Sequence, residues 1–236
     1  MKNKVLLLLA VLPFLITILL LRMVPDEIPM HYDFSGNINR WGSKFELLLF
    51  PVFIAVFQVF WVLLLSSFAR KRLASCDEKL IAGSLQNEKV LFYTAIGTWI
   101  LFTGLHFYIM ISSILIVRDN LETQMFSFGN ILILLMGIFM IVIGNIMPKT
   151  KRNSVIGLRT RWSMSNDEIW SKSNRFGGYT MVVVGVLVVI VAFVFYKPWS
   201  SMIMLLLLII ATIVMIAYSK HVYDKFVSIK ERSKKF

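Results

Sequence analysis

The sequence predicts an all-α, polytopic integral membrane protein with six transmembrane helices, and three observations support this fold class. Hydrophobic residues make up 58% of the 236 residues and the mean hydropathy is +0.75, whereas soluble domains are about 45–50% apolar. Six apolar runs have about the length of roughly 17–25 residues that a helix needs to cross a bilayer. Lys and Arg residues are concentrated in alternate connections between these runs, a pattern typical of multi-pass membrane proteins.

The six apolar runs recur along the whole chain, at residues 5–21, 47–69, 90–117, 125–147, 179–196 and 202–218. The first run follows two lysines, as a signal peptide would, but it is long and no small-residue cleavage site follows it. We therefore interpret it as a retained helix. A short polar hairpin is expected at residues 75–89, between the second and third runs.

The predicted organisation has three parts. They are an amino-terminal helix pair (residues 1–69) with an ordered extracytoplasmic loop (23–46), a four-helix region (90–218) with an ordered cytoplasmic loop (148–178), and a basic cytoplasmic tail (219–236). We call residues 23–46 the amino-terminal loop and residues 148–178 the central segment.

The charge distribution predicts the orientation. Of the 25 Lys and Arg residues, 20 fall on one side of the predicted spans, here called the basic side, and five on the other. The positive-inside rule places the basic side and both termini in the cytoplasm of a bacterium, an N-in/C-in topology in the plasma membrane. The net charge of +12 would suggest nucleic acid as a partner of a soluble protein, but here the topology and the lipid bilayer account for it.

The central segment is the longest polar stretch of the chain. It carries Trp162, Trp170 and seven basic residues, among them Arg159 and Arg175. Residues of these types serve as anchors in protein interfaces. Alternatively, the arginines only contact anionic lipid headgroups.

Local signals predict one short helix within the central segment. Ser165, followed three residues later by Glu168, has the spacing of a capping box. Gly177 is the residue type that ends helices. We therefore expect an amphipathic helix from Asn166 to Phe176.

A set of residues in and just before the central segment forms a recognisable pattern: Gly144, Asn145, Met147, Pro148, Lys149, Asn153, Ile156, Gly157, Leu158, Arg159, Thr160, Trp162, Glu168, Trp170, Arg175, Gly177 and Gly178. This pattern resembles the signature of the SdpI family, bacterial membrane proteins that give immunity to a secreted toxin peptide. The chain departs from it at Arg161, where the family tends to have proline, and at Ser173 and Asn174, where it tends to have Thr-His.

The amino-terminal loop resembles a second pattern. Pro29, His31, Gly36 and Lys44 are similar to residues of a small domain of unknown function that often precedes the SdpI region. The alternative is a loop that only closes the helix bundle.

The resemblance implies protection from a membrane-active toxin peptide, with sequestration of a cytoplasmic repressor protein as a further possibility. Two other classes stay open, a small transporter or channel and an envelope-stress signalling protein without a toxin partner. A transporter needs polar groups along a membrane path, and the spans contain few.

Catalytic and metal-binding patterns are not evident. The three histidines are not clustered as metal ligands would be, and hydrolase, metalloprotease and nucleotide-binding motifs are missing from the sequence. We expect no enzyme, no cofactor and no metal. A single cysteine, Cys76, excludes an intrachain disulfide.

Two features of the spans suggest specific contacts. His106 is the one ionisable residue well inside a predicted span, and such residues are functional candidates by default. The alternative is a neutral imidazole that bonds a neighbouring helix, near the level of Thr103 or Ser112. Glycines seven residues apart predict close helix packing at Gly97 and Gly104, and again at Gly137 and Gly144.

Overall fold

The computed structural model describes residues 2–32, 37–119, 128–195 and 198–232. It contains six helices long and apolar enough to cross a membrane, which confirms the predicted fold class. They are α1 (Lys2–Leu20), α2 (Leu49–Leu73), α3 (Glu78–Arg118), α4 (Phe128–Ile146), α5 (Asp167–Val194) and α6 (Trp199–Arg232). Short 3₁₀ helices occupy Leu21–Met23, Lys44–Leu48 and Met147–Lys149.

The helices pack as two groups of three that follow the chain order. In the first group α2 lies against α1 and α3, and in the second α5 lies against α4 and α6, while α3 and α4 join the groups. Leu6, Leu65 and Leu91 are buried in the first group, and Met140 and Val188 in the second. Many large apolar side chains on the outer faces are exposed, as expected of surfaces that contact lipid.

Glycines allow α4 and α5 to pack backbone against backbone. A Cβ atom added to Gly144 would lie 2.7 Å from the carbonyl oxygen of Gly178, and one added to Gly137 would lie 2.9 Å from that of Gly185. The predicted close packing at Gly137 and Gly144 is therefore confirmed. It is wrong for Gly104, where an added Cβ atom would meet nothing within 4 Å.

Two connections contain more helix than the sequence analysis expected. The predicted hairpin at residues 75–89 is wrong, because α3 already begins at Glu78, after an N-cap at Asp77 whose carboxylate accepts from the Lys79 amide at 2.8 Å. Residues 78–89 are rich in Glu, Lys, Leu, Ala and Gln, which favour helix. The basic stretch after residue 218 also continues α6, as far as Arg232.

The amino-terminal loop forms a small β-hairpin that the sequence analysis did not predict. Strands β1 (Glu27–Tyr32) and β2 (Ile38–Ser43) pair antiparallel, with Pro29 opposite Trp41 and a register irregularity on either side of His31. Ile28 is fully buried and anchors the hairpin in a core cluster with Val24, Leu47 and Met110.

Candidate functional site

The non-helical part of the central segment, residues 150–166, folds back onto the first turns of α5. Trp170, which is 1% exposed, donates its indole N–H to the carbonyl oxygen of Thr150 at 3.0 Å. Asn174, one turn later and fully buried, accepts the amide of Leu158 at 2.7 Å. The Asn174 side chain also donates to the Trp170 carbonyl oxygen at 3.0 Å, so two neighbouring side chains of α5 fix two points of the segment.

Gly157 lies directly against these two side chains. Its φ of +108° is a backbone conformation that side chains other than glycine rarely adopt. A Cβ atom there would lie 2.5 Å from Oδ1 of Asn174 and 2.8 Å from Cζ2 of Trp170. Both the conformation and the contact therefore require glycine.

Two polar side chains shape the backbone on either side of Gly157. Asn153 Oδ1 accepts the amides of Val155 and Ile156 at 2.7 and 2.8 Å. Ser163, fully buried, donates its hydroxyl to the Leu158 carbonyl oxygen at 2.6 Å. These are side-chain bonds that stabilise turns in place of secondary structure.

Thr160 connects the segment to α6. Its amide donates to Ser163 Oγ at 2.9 Å, and its own hydroxyl accepts the Ser163 amide at 3.0 Å. The Thr160 hydroxyl also lies 2.6 Å from the hydroxyl of Ser219 on α6. The central segment is thus bonded to both α5 and α6.

The start of α5 corrects the predicted cap. Asn166, not Ser165, is the N-cap, and its Oδ1 accepts the Ile169 amide at 2.9 Å. The Ser165 hydroxyl instead donates to the Trp162 carbonyl oxygen at 2.7 Å. Ser165 therefore belongs to the preceding turn, and its predicted capping box with Glu168 is wrong.

The predicted helix end at Gly177 is also wrong, because α5 continues through Gly177 and Gly178 to Val194. Both glycines are buried. An added Cβ atom at Gly178 would lie 2.6 Å from the carbonyl oxygen of Gly144 and 2.7 Å from Cγ of Pro148. The glycines allow close approach of α4 and of Pro148 to the interior of a helix.

An ion-pair bridge ties the central segment to α3. The carboxylate of Asp167 lies 3.0 Å from Nζ of Lys79 and 2.9 Å from Nε of Arg152. The hydrogen bond from Lys79, with the positive charges of Arg152 and Lys79, lowers the pKa of the Asp167 carboxyl below its ordinary value. Arg152 also donates to the carbonyl oxygen of Met164 at 3.0 Å. This bridge was not predicted, since its partners lie far apart in sequence.

Of the four predicted anchor residues, Trp170 is buried and the other three lie at the surface of the central segment. Arg159 and Arg175 are exposed. The Arg175 guanidinium lies 6.0 Å from the ring centroid of Tyr179, and its Nε donates to the Tyr179 hydroxyl at 3.3 Å. Trp162 is half-buried, with the guanidinium of Arg161 at 4.7 Å from its ring.

The polar residues predicted within the spans make local or interhelical bonds. His106 is fully buried and its Nε2 lies 2.7 Å from the hydroxyl of Thr17 on the neighbouring helix α1. The Thr17 hydroxyl also donates to the Pro13 carbonyl oxygen at 2.7 Å, so this hydroxyl links His106 of α3 to the backbone of α1. Asn145 is exposed and donates to the Ile141 carbonyl oxygen at 2.8 Å.

Comparisons with known proteins found two family models, which match different parts of the chain, and a relative that matches nearly all of it. Residues 149–219 match the model of the SdpI/YfhL protein family, and the chain is 26% identical over 224 residues to Immunity protein SdpI of Bacillus subtilis (strain 168). The resemblance to the SdpI family is confirmed. The alignment with Immunity protein SdpI covers 95% of this chain and 97% of that relative. Residues 8–55 match a domain of unknown function, DUF1648, and no solved structure matches.

The DUF1648 region contains the hairpin and its predicted residues. Pro29 is buried, and Nδ1 of the exposed His31 lies 2.6 Å from Oδ1 of Asn39 on the other strand. Gly36 lies outside the described residues. The structure therefore groups His31 and Pro29 in one hairpin, on the opposite side of the bundle from the SdpI-family signature.

Ion pairs surround the base of this hairpin. Nζ of Lys44 lies 2.8 Å from the carboxylate of Asp26, and the guanidinium of Arg40 lies 2.7 Å from that of Glu46. A hydrogen bond from each cation lowers the pKa of its partner carboxyl. Ser43 and Glu46 form a capping box at the start of the following 3₁₀ helix. This cap fixes the backbone where β2 meets the 3₁₀ helix, and Lys44 lies at that point.

The most important residue that sequence reasoning missed is Asn174. In the sequence its only distinction is a departure from the SdpI-family pattern. A buried amide that bonds a loop amide and the Trp170 carbonyl oxygen is not evident from local sequence. The one available signal was its position four residues after Trp170, on the same helix face.

Proposed function

We propose that this protein is a membrane immunity protein that protects a producing bacterium from a secreted, membrane-active toxin peptide. One observation carries the proposal: the similarity to an immunity protein extends over 95% of the chain. It therefore includes the hairpin on one side of the bundle as well as the SdpI-family region on the other, and not only the region that the family model matches.

The proposed orientation is N-in/C-in in the plasma membrane, which exposes the hairpin to the outside. The distribution of 20 of 25 Lys and Arg residues on the basic side supports it. Cys76, the single cysteine, is exposed in the turn between α2 and α3. Labelling of its thiol therefore shows which side of the membrane the basic side faces. Glu27, exposed at the start of β1, is a suitable position for an outer reporter.

In intact cells, an impermeant maleimide should label Glu27→Cys in a Cys76→Ser background and leave the native Cys76 unlabelled. After permeabilisation both should react. Labelling of Cys76 in intact cells would contradict the orientation and would move the hairpin to the cytoplasm.

The hairpin is the proposed contact for the toxin. An agent that arrives from outside meets His31 and Lys44 together with exposed aromatic side chains, of which Trp41 is 49% exposed and Phe45 is 62% exposed. Such side chains are suited to the depth of the lipid headgroups. A peptide that inserts into the bilayer would therefore meet the hairpin at the membrane surface.

Expression in a toxin-sensitive host tests the proposal. The chain should restore survival under toxin, and His31→Ala or Lys44→Ala should reduce protection at matched membrane abundance. Arg118→Ala is the matched control, because Arg118 is an exposed cation on the same side that forms an ion pair with its neighbour Asp119. Failure of the unaltered chain to protect would refute the toxin-immunity proposal.

A second proposed role is sequestration of a cytoplasmic repressor by the central segment. Arg159 and Arg175 are exposed on a backbone that Trp170 and Asn174 hold in place. Alanine at either arginine should weaken repressor recruitment to membranes by about tenfold or more, since loss of a packed charged anchor costs ~2 kcal/mol.

The control for this second role is Lys220→Ala, which removes an exposed cation near the same surface. Survival under toxin should be unchanged for all three variants in a strain that lacks the repressor. If the arginine variants abolish survival there at normal abundance, the central segment belongs to the protective mechanism itself.

The polar side chains within the spans offer little support for a transporter or channel. Nε2 of Gln58 donates to the Ala95 carbonyl oxygen at 3.3 Å. Nδ2 of Asn130 donates to the carbonyl oxygens of Ala192 and Phe195 at 3.0 and 3.1 Å. These polar side chains join helices to each other instead of lining a path across the membrane.

A further inference from the structure

A basic cleft lies between the first turns of α3 and the central segment. Its volume is about 920 Å³. Five cationic side chains line it, and two carboxylates oppose them: Lys71, Lys79, Lys149, Lys151 and Arg152, with Asp77 and Asp167. The cleft opens on the basic side of the bundle, next to the 3₁₀ helix that ends α4.

The carboxylates of this cleft are already engaged. Asp167 binds Lys79 and Arg152, and Asp77 caps α3. Among the residues that the structure describes, Lys71, Lys149 and Lys151 are exposed and form no ion pair within 4 Å. Three cations are thus left to attract an anion into the cleft.

An apolar cavity of about 240 Å³ adjoins the cleft. The two share Thr150, which lines both. The remaining wall of the apolar cavity comes from α3, α4, α5, α6, the 3₁₀ helix after α4 and the central segment, and it includes Val90, Ile143, Ile146, Leu158, Met181 and Met215.

The two threonines of this apolar cavity do not make it polar. The Thr94 hydroxyl donates to the Val90 carbonyl oxygen at 3.0 Å, and the Thr150 hydroxyl donates to the Met147 carbonyl oxygen at 2.8 Å. Both donors are used within the protein. A ligand in this cavity would therefore meet hydrocarbon, sulfur and glycine.

We propose that the cleft and the apolar cavity together bind one anionic phospholipid from the leaflet on the basic side, with its phosphate near Lys149 and Lys151 and an acyl chain between α3 and α4. Charge complementarity selects the anionic headgroup. An acidic peptide or a free phosphate would fill the cleft and leave the adjoining hydrocarbon-lined cavity empty. The proposal concerns lipid binding and does not depend on the proposed immunity function.

Native mass spectrometry of the full chain in detergent tests the headgroup. Phosphatidylglycerol, phosphatidylcholine and inorganic phosphate are the probes, and phosphatidylglycerol should be retained in preference to the other two. Lys149→Gln/Lys151→Gln should weaken phosphatidylglycerol binding by roughly thirtyfold, since each lysine at a membrane surface contributes about a fivefold effect. The matched control, Lys220→Gln/Lys225→Gln, removes the same charge outside the cleft and should bind like the unaltered chain.

A second pair of variants tests the acyl chain. Ile146→Trp should fill the apolar cavity and reduce retention of phosphatidylglycerol. Ile138→Trp, at a 46% exposed position of the same helix, should not. Size-exclusion chromatography and helical circular dichroism confirm that each variant is folded.

Three results would overturn the proposal. Equal retention of phosphatidylglycerol and phosphatidylcholine would exclude a selective headgroup site. Equal behaviour of the two lysine double variants would exclude the cleft. Displacement of phosphatidylglycerol by millimolar inorganic phosphate, with no effect of Ile146→Trp, would show a phosphate site instead of a lipid site.

Discussion

The Gly157→Ala substitution tests how the central segment is held. The new methyl group would begin 2.5 Å from Oδ1 of Asn174, whereas ordinary contact starts at 3.4 Å, so the amide must retreat by about 0.9 Å. The Leu158 amide, which follows Gly157 directly, bonds that same oxygen at 2.7 Å. A retreat of this size would stretch the bond to about 3.6 Å, beyond hydrogen-bonding distance.

Two costs combine in this variant. Alanine at a φ of +108° is strained by about 1–3 kcal/mol, and a buried amide without a partner costs about 1–3 kcal/mol more. Together they cost about 2–6 kcal/mol, and a cost of about 3 kcal/mol would already increase opening of the segment by about a hundredfold. Asn174→Ala removes the same bond, so the double variant should cost less than the sum of the two single variants.

Hydrogen exchange of peptides from residues 150–166, with the protein in a lipid nanodisc, measures this opening. Gly83→Ala is the matched control, because Gly83 lies in α3 and an added Cβ atom would meet the nearest side-chain atom at 3.7 Å. It should leave exchange of the segment unchanged. If Gly157→Ala exchanges like Gly83→Ala, the described contact between Gly157 and Asn174 does not hold the segment.

Three further predictions concern the ends and faces of α5. Asn166→Ala should cost about 1 kcal/mol at the first turn of α5 and accelerate amide exchange there, whereas Ser165→Ala should not. Gly178→Ala should lower the thermal midpoint of the bundle because its added methyl group meets the α4 backbone, while Gly104→Ala, at an open position, should leave it unchanged or raise it. Because the Asp167 pKa is lowered in the folded chain, its ion pairs stabilise the segment above about pH 4 and are lost as the pH falls through the folded value. Protection from exchange at the start of α3, relative to the intrinsic rate at each pH, should then fall in acid, and Asp167→Asn should remove this pH dependence.

The six spans could be predicted because a membrane imposes a strong and local pattern. A helix needs about 20 apolar residues to cross, and the chain supplies six such runs in order. The limits of the helices were less predictable. The polar composition of residues 78–89 predicts a connection, but α3 extends through them beyond the apolar run.

The two errors around α5 have different physical reasons. Gly177 carries a local signal for the end of a helix, but tertiary contacts prevail there. Ser165 carries a local signal for the start of a helix, but its neighbour Asn166 forms the cap. Gly178 is buried against Gly144 and Pro148, so the helix continues where a local reading ends it. Asn166 competes with Ser165 for the cap, and the sequence alone does not rank two adjacent capping residues.

The bonds that hold the central segment could not be predicted, because their partners are distant in sequence. The residue type of Trp170 predicts an interface anchor, but Trp170 is 1% exposed and bonds the Thr150 carbonyl oxygen. The bridge from Asp167 to Lys79 spans two helices. Composition and spacing indicated an ordered segment, and only the folded chain shows which side chains order it.

The continuity of α5 has a mechanical consequence. Its 28 residues form a rod about 42 Å long, with Trp170 and Asn174 near one end and the Ala192 carbonyl oxygen, bonded by Asn130, near the other. Because α5 continues without a break, a displacement of one end is transmitted to the other end. A change of tilt that begins at one membrane surface must therefore shift the side chains that fix Thr150 and Leu158 at the opposite surface.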